Sequence, residues 1–86
     1  MKNIKLLDLV ALLNSITIER LILIEKNANL IDKLPLGLVG TVVEVYNDDK
    51  QSKYLVEFAN NKGQEYAMAI LTAEELIVLQ YELAFS

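Results

Sequence analysis

Two carboxylate pairs, Asp48-Asp49 and Glu74-Glu75, have the best claim to chemistry in this chain. General acid–base work needs one carboxyl of a pair held in a pocket, its pKa set apart from its neighbour's. Asp48-Asp49 falls in a polar turn over residues 47–52, and Glu74-Glu75 in a capped helical turn, so both pairs read as solvated charges. The rest of the reactive inventory is short. The 86 residues include no cysteine and no histidine. That excludes a thiolate nucleophile, a thiolate zinc site and a disulfide framework, and removes the commonest general base and metal ligand. Asp48, Asp49 and Glu57 could offer oxygens to a hard cation. Calcium, however, takes about six to eight oxygens from a glycine-bent loop, and residues 47–52 have neither the glycine nor the spacing. Gly37-Leu-Val-Gly40 is no phosphate loop, because it leads into a strand and no Lys-Ser or Lys-Thr follows it. The expectation is a non-enzyme, with no catalytic, metal or cofactor-binding residue and no cofactor.

The four tyrosines suggest binding instead. Aromatic grooves of SH3 domains grip proline-rich peptides. Tyr54 and Tyr66 fall on strand faces assigned to the core, which leaves Tyr46 and Tyr81 as surface candidates. Such a groove normally includes a tryptophan, and the chain has none.

These residues must be positioned by short elements. The firmest stretch runs from Leu34. Pro35 biases Leu34 toward extended backbone, and Gly37 and Gly40 supply positive φ or close backbone approach. Thr41 to Tyr46 then alternates as a strand. Glu44 marks its outer face, so Val43 and Val45 are expected to point inward. After the turn at 47–52, Tyr54, Val56 and Phe58 alternate with Leu55, Glu57 and Ala59. Asn60-Asn-Lys-Gly63 is a hairpin signal. Residues 65–71 form the third strand of the meander, with Tyr66, Met68 and Ile70 expected on the core side. Thr72-Ala-Glu-Glu75 is a capping box opening one helical turn, and residues 76–81 have room for a closing strand.

The N-terminal third is less decided. In residues 4–13, Leu6, Leu9, Val10 and Leu13 fit a helical face slightly better than a buried strand. Residues 16–24 carry isoleucine at 16, 18, 22 and 24, which would share one strand face, with Arg20 the exception. A helical pattern through Ile18, Leu21 and Ile22 competes with that reading. Residues 25–32 suit a turn or loop.

Leu6-Leu-Asp-Leu-Val-Ala-Leu12, Gly37-Leu-Val-Gly-Thr-Val-Val-Glu-Val-Tyr46, Tyr54-Leu-Val-Glu-Phe58, Gly63-Gln-Glu-Tyr66, Leu71-Thr-Ala-Glu-Glu-Leu76 and Val78-Leu-Gln-Tyr81 together resemble a small bacterial family, the domain of unknown function 4926, itself similar to SH3-like barrels. The resemblance covers nearly all the chain outside residues 14–34 and carries no catalytic signature. It implies that residues 6–13 form a first strand rather than a helix. It also implies that residues 14–34 are an insertion, since family members make this connection with a shorter loop. The expected fold is mainly β: one domain over residues 1–86, a small SH3-like β-barrel of about five strands, with an extended first loop and one short helical turn near the C-terminus.

Composition bounds the function. A chain of this size buries only roughly 60–65% of the surface its unfolded form exposes. Yet 53% of its residues are hydrophobic and its mean hydropathy is +0.31, against an average usage of about 45–50%. That excess points to association. The insertion either completes the core as an extra strand or forms a contact surface. The favoured expectation is a protein-interaction module that binds a partner protein or a second copy through Ile18, Leu21, Ile22, Leu23 and Ile24, with Tyr46 and Tyr81 near a barrel edge. An antitoxin-like or immunity-like companion of an enzyme is one form this could take. The alternative is a nucleic-acid-binding barrel of the KOW or Tudor sort, needing a basic face from Lys26, Lys33, Lys50, Lys53 and Lys62. Eight scattered bases against twelve acids, a net charge of −4, argue against it. The uncharged stretch 34–43 is far shorter than the about 20 residues a bilayer span needs. No signal peptide is readable, so no membrane association and a cytoplasmic location are expected.

Overall fold

The computed structural model describes residues 4–24, 32–47 and 50–79. Within them the chain is mainly β. The strands are β1 (Leu9–Leu12), β2 (Ile16–Thr17), β3 (Leu21–Leu23), β4 (Lys33–Leu34), β5 (Val39–Asn47), β6 (Ser52–Ala59), β7 (Glu65–Thr72) and β8 (Leu76–Leu79). Two 3₁₀ turns, Ile18–Arg20 and Ala73–Glu75, complete the elements. Six strands form an antiparallel sheet in the order β3-β7-β6-β5-β1-β8, and β2 and β4 pair as a separate ribbon.

The meander β5-β6-β7 is the backbone of this arrangement, and local chemistry sets its turns. At the β6–β7 hairpin, Asn60 Oδ1 accepts from the backbone N–H of Lys62 and of Gln64, and Gly63 takes φ +81°. At the β5–β6 turn, the Ser52 hydroxyl donates to Asn47 Oδ1 at 3.0 Å. Gly37 has φ +87° in the turn before β5, where its N–H bonds the Leu12 carbonyl. Gly40 is needed for a different reason. A Cβ there would lie 2.7 Å from Val56 Cγ1 and 2.8 Å from a Phe58 ring carbon.

The core lies on one side of the sheet. Val10, Leu12, Val42, Val56, Phe58, Leu71 and Leu76 are all buried. Ile16 and Leu34, opposite each other in the β2–β4 ribbon, cap it. Each such side chain contributes about 1.5–3 kcal/mol by leaving water. No polar or charged residue is buried among the described residues.

Several expectations need correction. Among the described residues the barrel is not closed: the six-stranded sheet ends at β3 and β8, and eight strands replace about five. Val43 does not point inward. The pairing passes from Val42 opposite Val56 directly to Glu44 opposite Leu55, so Val43 is the extra residue of a β-bulge. Val42 fills the core before the bulge and Val45 packs against it afterwards. A second bulge separates Phe58 opposite Ala67 from Ala59 opposite Glu65. Beyond it Ala67, Ala69 and Leu71 face the core, so Met68 and Ile70 lie on the other side. Tyr66, the extra residue, does pack against the core, as Tyr54 does. The isoleucines at 16, 18, 22 and 24 do not share a strand face, because a 3₁₀ turn divides the run between the ribbon and the main sheet.

The first strand is β1, shorter than residues 6–13. Leu6 and Leu7 form a turn in which Leu7 takes φ +71°. The closing strand is described to Leu79. The loop reading of residues 25–32 lies outside the described residues except at Asp32.

Candidate interaction face

The outer face of β5-β6-β7-β3 carries an apolar surface that the two bulges put there. Residues opposite each other on one face have Cβ atoms roughly 5 Å apart, so the register can be read as rows. Ile22 stands opposite Met68, Met68 opposite Glu57, and Glu57 opposite Thr41. In the next row Ile70 faces Leu55 and Leu55 faces Glu44. In the third, Lys53 lies between Thr72 and Tyr46. Ile22 is 47% exposed, Ile24 45%, Ile70 43% and Tyr46 42%. Met68 and Leu55 are half-buried between them.

The expected contact residues therefore separate. Ile22 and Ile24 alternate outward on β3 and its continuation, where the Ile24 N–H bonds the Tyr66 carbonyl. Leu21 and Leu23 take the opposite side. Leu21 packs against the core, whereas Leu23 stays 37% exposed. Ile18 is half-buried in the first 3₁₀ turn. Tyr46 shares the face with Ile22 but lies three strands and two rows away, on the order of 20 Å. Tyr81 lies outside the described residues.

Sequence reasoning missed Ile70 and Met68 as surface residues. Their signal was hidden by a bulge that no residue type announces. It also missed what Arg20 does. The Arg20 guanidinium grips both carboxylate oxygens of Glu75, with Nη2 donating to Oε1 at 3.0 Å, and Nη2 also donates to the Ile70 carbonyl at 3.2 Å. This fork ties the first 3₁₀ turn to the second and seats β3 against β7. Glu75 completes the capping box as well, accepting from the Thr72 N–H at 3.0 Å and the Thr72 hydroxyl at 3.3 Å. The Arg20 hydrogen bond is the main reason the Glu75 carboxyl titrates below the usual carboxylate range; its partial burial works the other way. The same bond raises the Arg20 pKa. Glu75 is therefore a structural anchor and not the solvated charge expected of it. Glu74 stays exposed, 3.4 Å from Gln51 Nε2, and Asp48 and Asp49 lie outside the described residues.

The charges on the face are mostly acidic. Glu57 is half-buried beside Met68, and its carboxyl titrates above the usual range because of that burial and then because of the charge and hydrogen bonding of Glu65. The lysines do not gather. Lys50 in the turn and Lys53 near the start of β6 lie at one end and Lys62 in the hairpin at the other, with Glu57 between them, while Lys33 is on the separate ribbon and Lys26 is not described. No cluster of acidic side chains suited to a metal ion occurs among the described residues. No helix among them is long and apolar enough to cross a membrane.

A family model, described as a domain of unknown function (DUF4926), matches residues 6–78. No curated protein and no solved structure matches the chain.

Proposed function

The chain belongs to the family of the domain of unknown function 4926, and from that premise we propose that it is a non-enzymatic protein-interaction module. It works through the outer face of β5-β6-β7-β3, with Ile22, Ile24, Met68 and Ile70 as the contact residues and Tyr46 at the far margin. The observation that carries this reading is the contiguity of Ile22, Met68, Ile70 and Leu55 in adjacent rows of one sheet face, beside an edge strand, Leu21–Leu23, without a charged residue. Natural proteins usually blunt such edges with charge or proline, and contiguous apolar patches mark contact sites.

An SH3-like fold is the frame we favour for it. The meander β5-β6-β7, the pairing of β1 with β5 and β8, and a 3₁₀ turn before the last strand support that frame. The arm between β1 and β5 then corresponds to the long first loop of such a domain. A companion whose activity is held or positioned, in the antitoxin or immunity manner, is one form the partner could take. A cytoplasmic location suits the same reading. The nucleic-acid alternative is weakened by the separation of Lys53, Lys62 and Lys33.

Affinity capture from the source cells tests the reading, using wild type, Ile70→Glu and Lys33→Glu, with light scattering of each purified chain. A companion retained by wild type and Lys33→Glu and lost from Ile70→Glu is the expected result. A monomeric wild type that holds nothing Ile70→Glu does not hold would sink it. Circular dichroism separates lost contact from lost fold.

A further inference from the structure

The outer face has a charge pattern that selects among occupants. Glu57 projects from its centre, between Met68 and Thr41. Glu44 ends the Ile70–Leu55 row, and Glu65 opens β7 beside Ala59. No ion pair neutralises any of the three among the described residues. Arg20, the nearest guanidinium, is already committed to Glu75 and the Ile70 carbonyl. Burial first, and then the charge and hydrogen bonding of Glu65, holds the Glu57 carboxyl above its usual range. Lys53, the cation that the described register puts on this face, sits at its margin between Thr72 and Tyr46.

Two copies stacked face to face about a two-fold axis would bring these acids toward their own images. Isologous contacts must be self-complementary, and like charges opposed across an interface cost several kcal/mol. We propose that the occupant is instead a basic protein segment in which lysine or arginine side chains alternate with large apolar ones. Its apolar side chains lie over Ile22, Met68, Ile70 and Leu55, and its cations meet Glu44, Glu57 and Glu65. This inference rests on the interaction-module reading and adds the chemistry of the partner. The chain's net charge of −4 favours the same encounter, since opposite fields speed association.

The probe is a synthetic peptide of alternating lysine and leucine, compared with a lysine–serine peptide of equal charge. Binding is followed by amide chemical shifts of the labelled chain. The expected result is perturbation centred on Ile22, Leu55, Glu57, Met68 and Ile70, with the lysine–serine peptide about tenfold weaker. The Glu57→Gln/Glu65→Gln double variant should lose about tenfold in affinity, and Asp8→Asn/Glu74→Gln, equal in charge change but elsewhere, almost none.

Equal binding of the two peptides, perturbation away from this face, or unchanged affinity in the Glu57/Glu65 variant each overturns the proposal. So does a wild-type dimer at neutral pH that Ile70→Glu dissociates, because a second copy is then the occupant. The companion captured from cells separates the two levels of inference. If Ile70→Glu releases it and Glu57→Gln/Glu65→Gln does not, the face binds a partner but not a basic one. If neither releases it, the face itself is misassigned.

Discussion

Glu75 has two tasks, and one of them, holding the Arg20 fork, is strong only when the carboxylate is ionised. It accepts the Thr72 N–H to close the turn before β8, and it receives the Arg20 fork that seats the arm. Its folded pKa lies below its ordinary value of 4.5. The stability it supplies is therefore fully present above that value and is lost as pH falls through the lower folded pKa. Glu75→Gln should lower stability by about 1 kcal/mol at neutral pH, discounted because the Arg20 side chain is 43% exposed. Thermal melts of both proteins check this. The gap between them should hold from about pH 7 to 5 and close as the wild-type carboxylate protonates at lower pH. A gap unchanged into strong acid would mean the Gln side chain disturbs packing rather than charge. The capping box was legible from Thr72 and Glu75 alone, because it is a local motif. The Arg20 partner was not, because 55 residues separate the two in the chain.

At the scale of elements, alternation was a good guide only where strands stay in phase. Tyr54, Val56 and Phe58 in β6 were read inward and are buried. In β5 and β7 a bulge shifts the phase by one residue, so Val43 and the Met68–Ile70 pair were assigned to the wrong side. Bulges are set by how two strands meet, and neither strand's own sequence records them. The arm shows the same limit. Its isoleucines signalled extended structure, but the 3₁₀ turn at Ile18–Arg20 gives Leu21 and Ile22 opposite environments. Leu21→Asn should cost about 2–3 kcal/mol, since it places an amide against the core. Ile22→Asn should stay within about 0.5 kcal/mol of wild type. Urea unfolding measures both, and equal losses would contradict the assigned β3 register.

For the whole molecule, composition pointed to the unusual feature without locating it. An apolar excess was legible from 53% hydrophobic residues. Part of it lies on an acidic outer face, and only the register places it there. On the proposal above, charge is what keeps copies apart in solution. The chain carries −4 at neutral pH, and its isoelectric point is near 4.6. Glu57 protonates early on acidification because its carboxyl titrates above the usual range. Light scattering should give a monomer at about pH 7 and a rising mass as pH falls toward the isoelectric point near 4.6, where net repulsion fades. Ile70→Glu should delay that rise. A mass independent of pH would separate solubility from this face.

The β2–β4 ribbon sets where evolution or a protein engineer could cut. Ile16 and Leu34 fill the core, so they must stay, while Thr17 and Lys33 face each other as the next pair outward. Two chain ends so placed can be joined by a tight turn. The arm is thus a removable cassette on a core-anchored stump: replacing residues 18–32 with such a turn deletes β3 and the Arg20 fork yet leaves Glu75 capping Thr72. Leu55, Glu57, Met68 and Ile70 stay behind on the meander, so a chain cut in this way would hold their half of the outer face without Ile22 and Ile24.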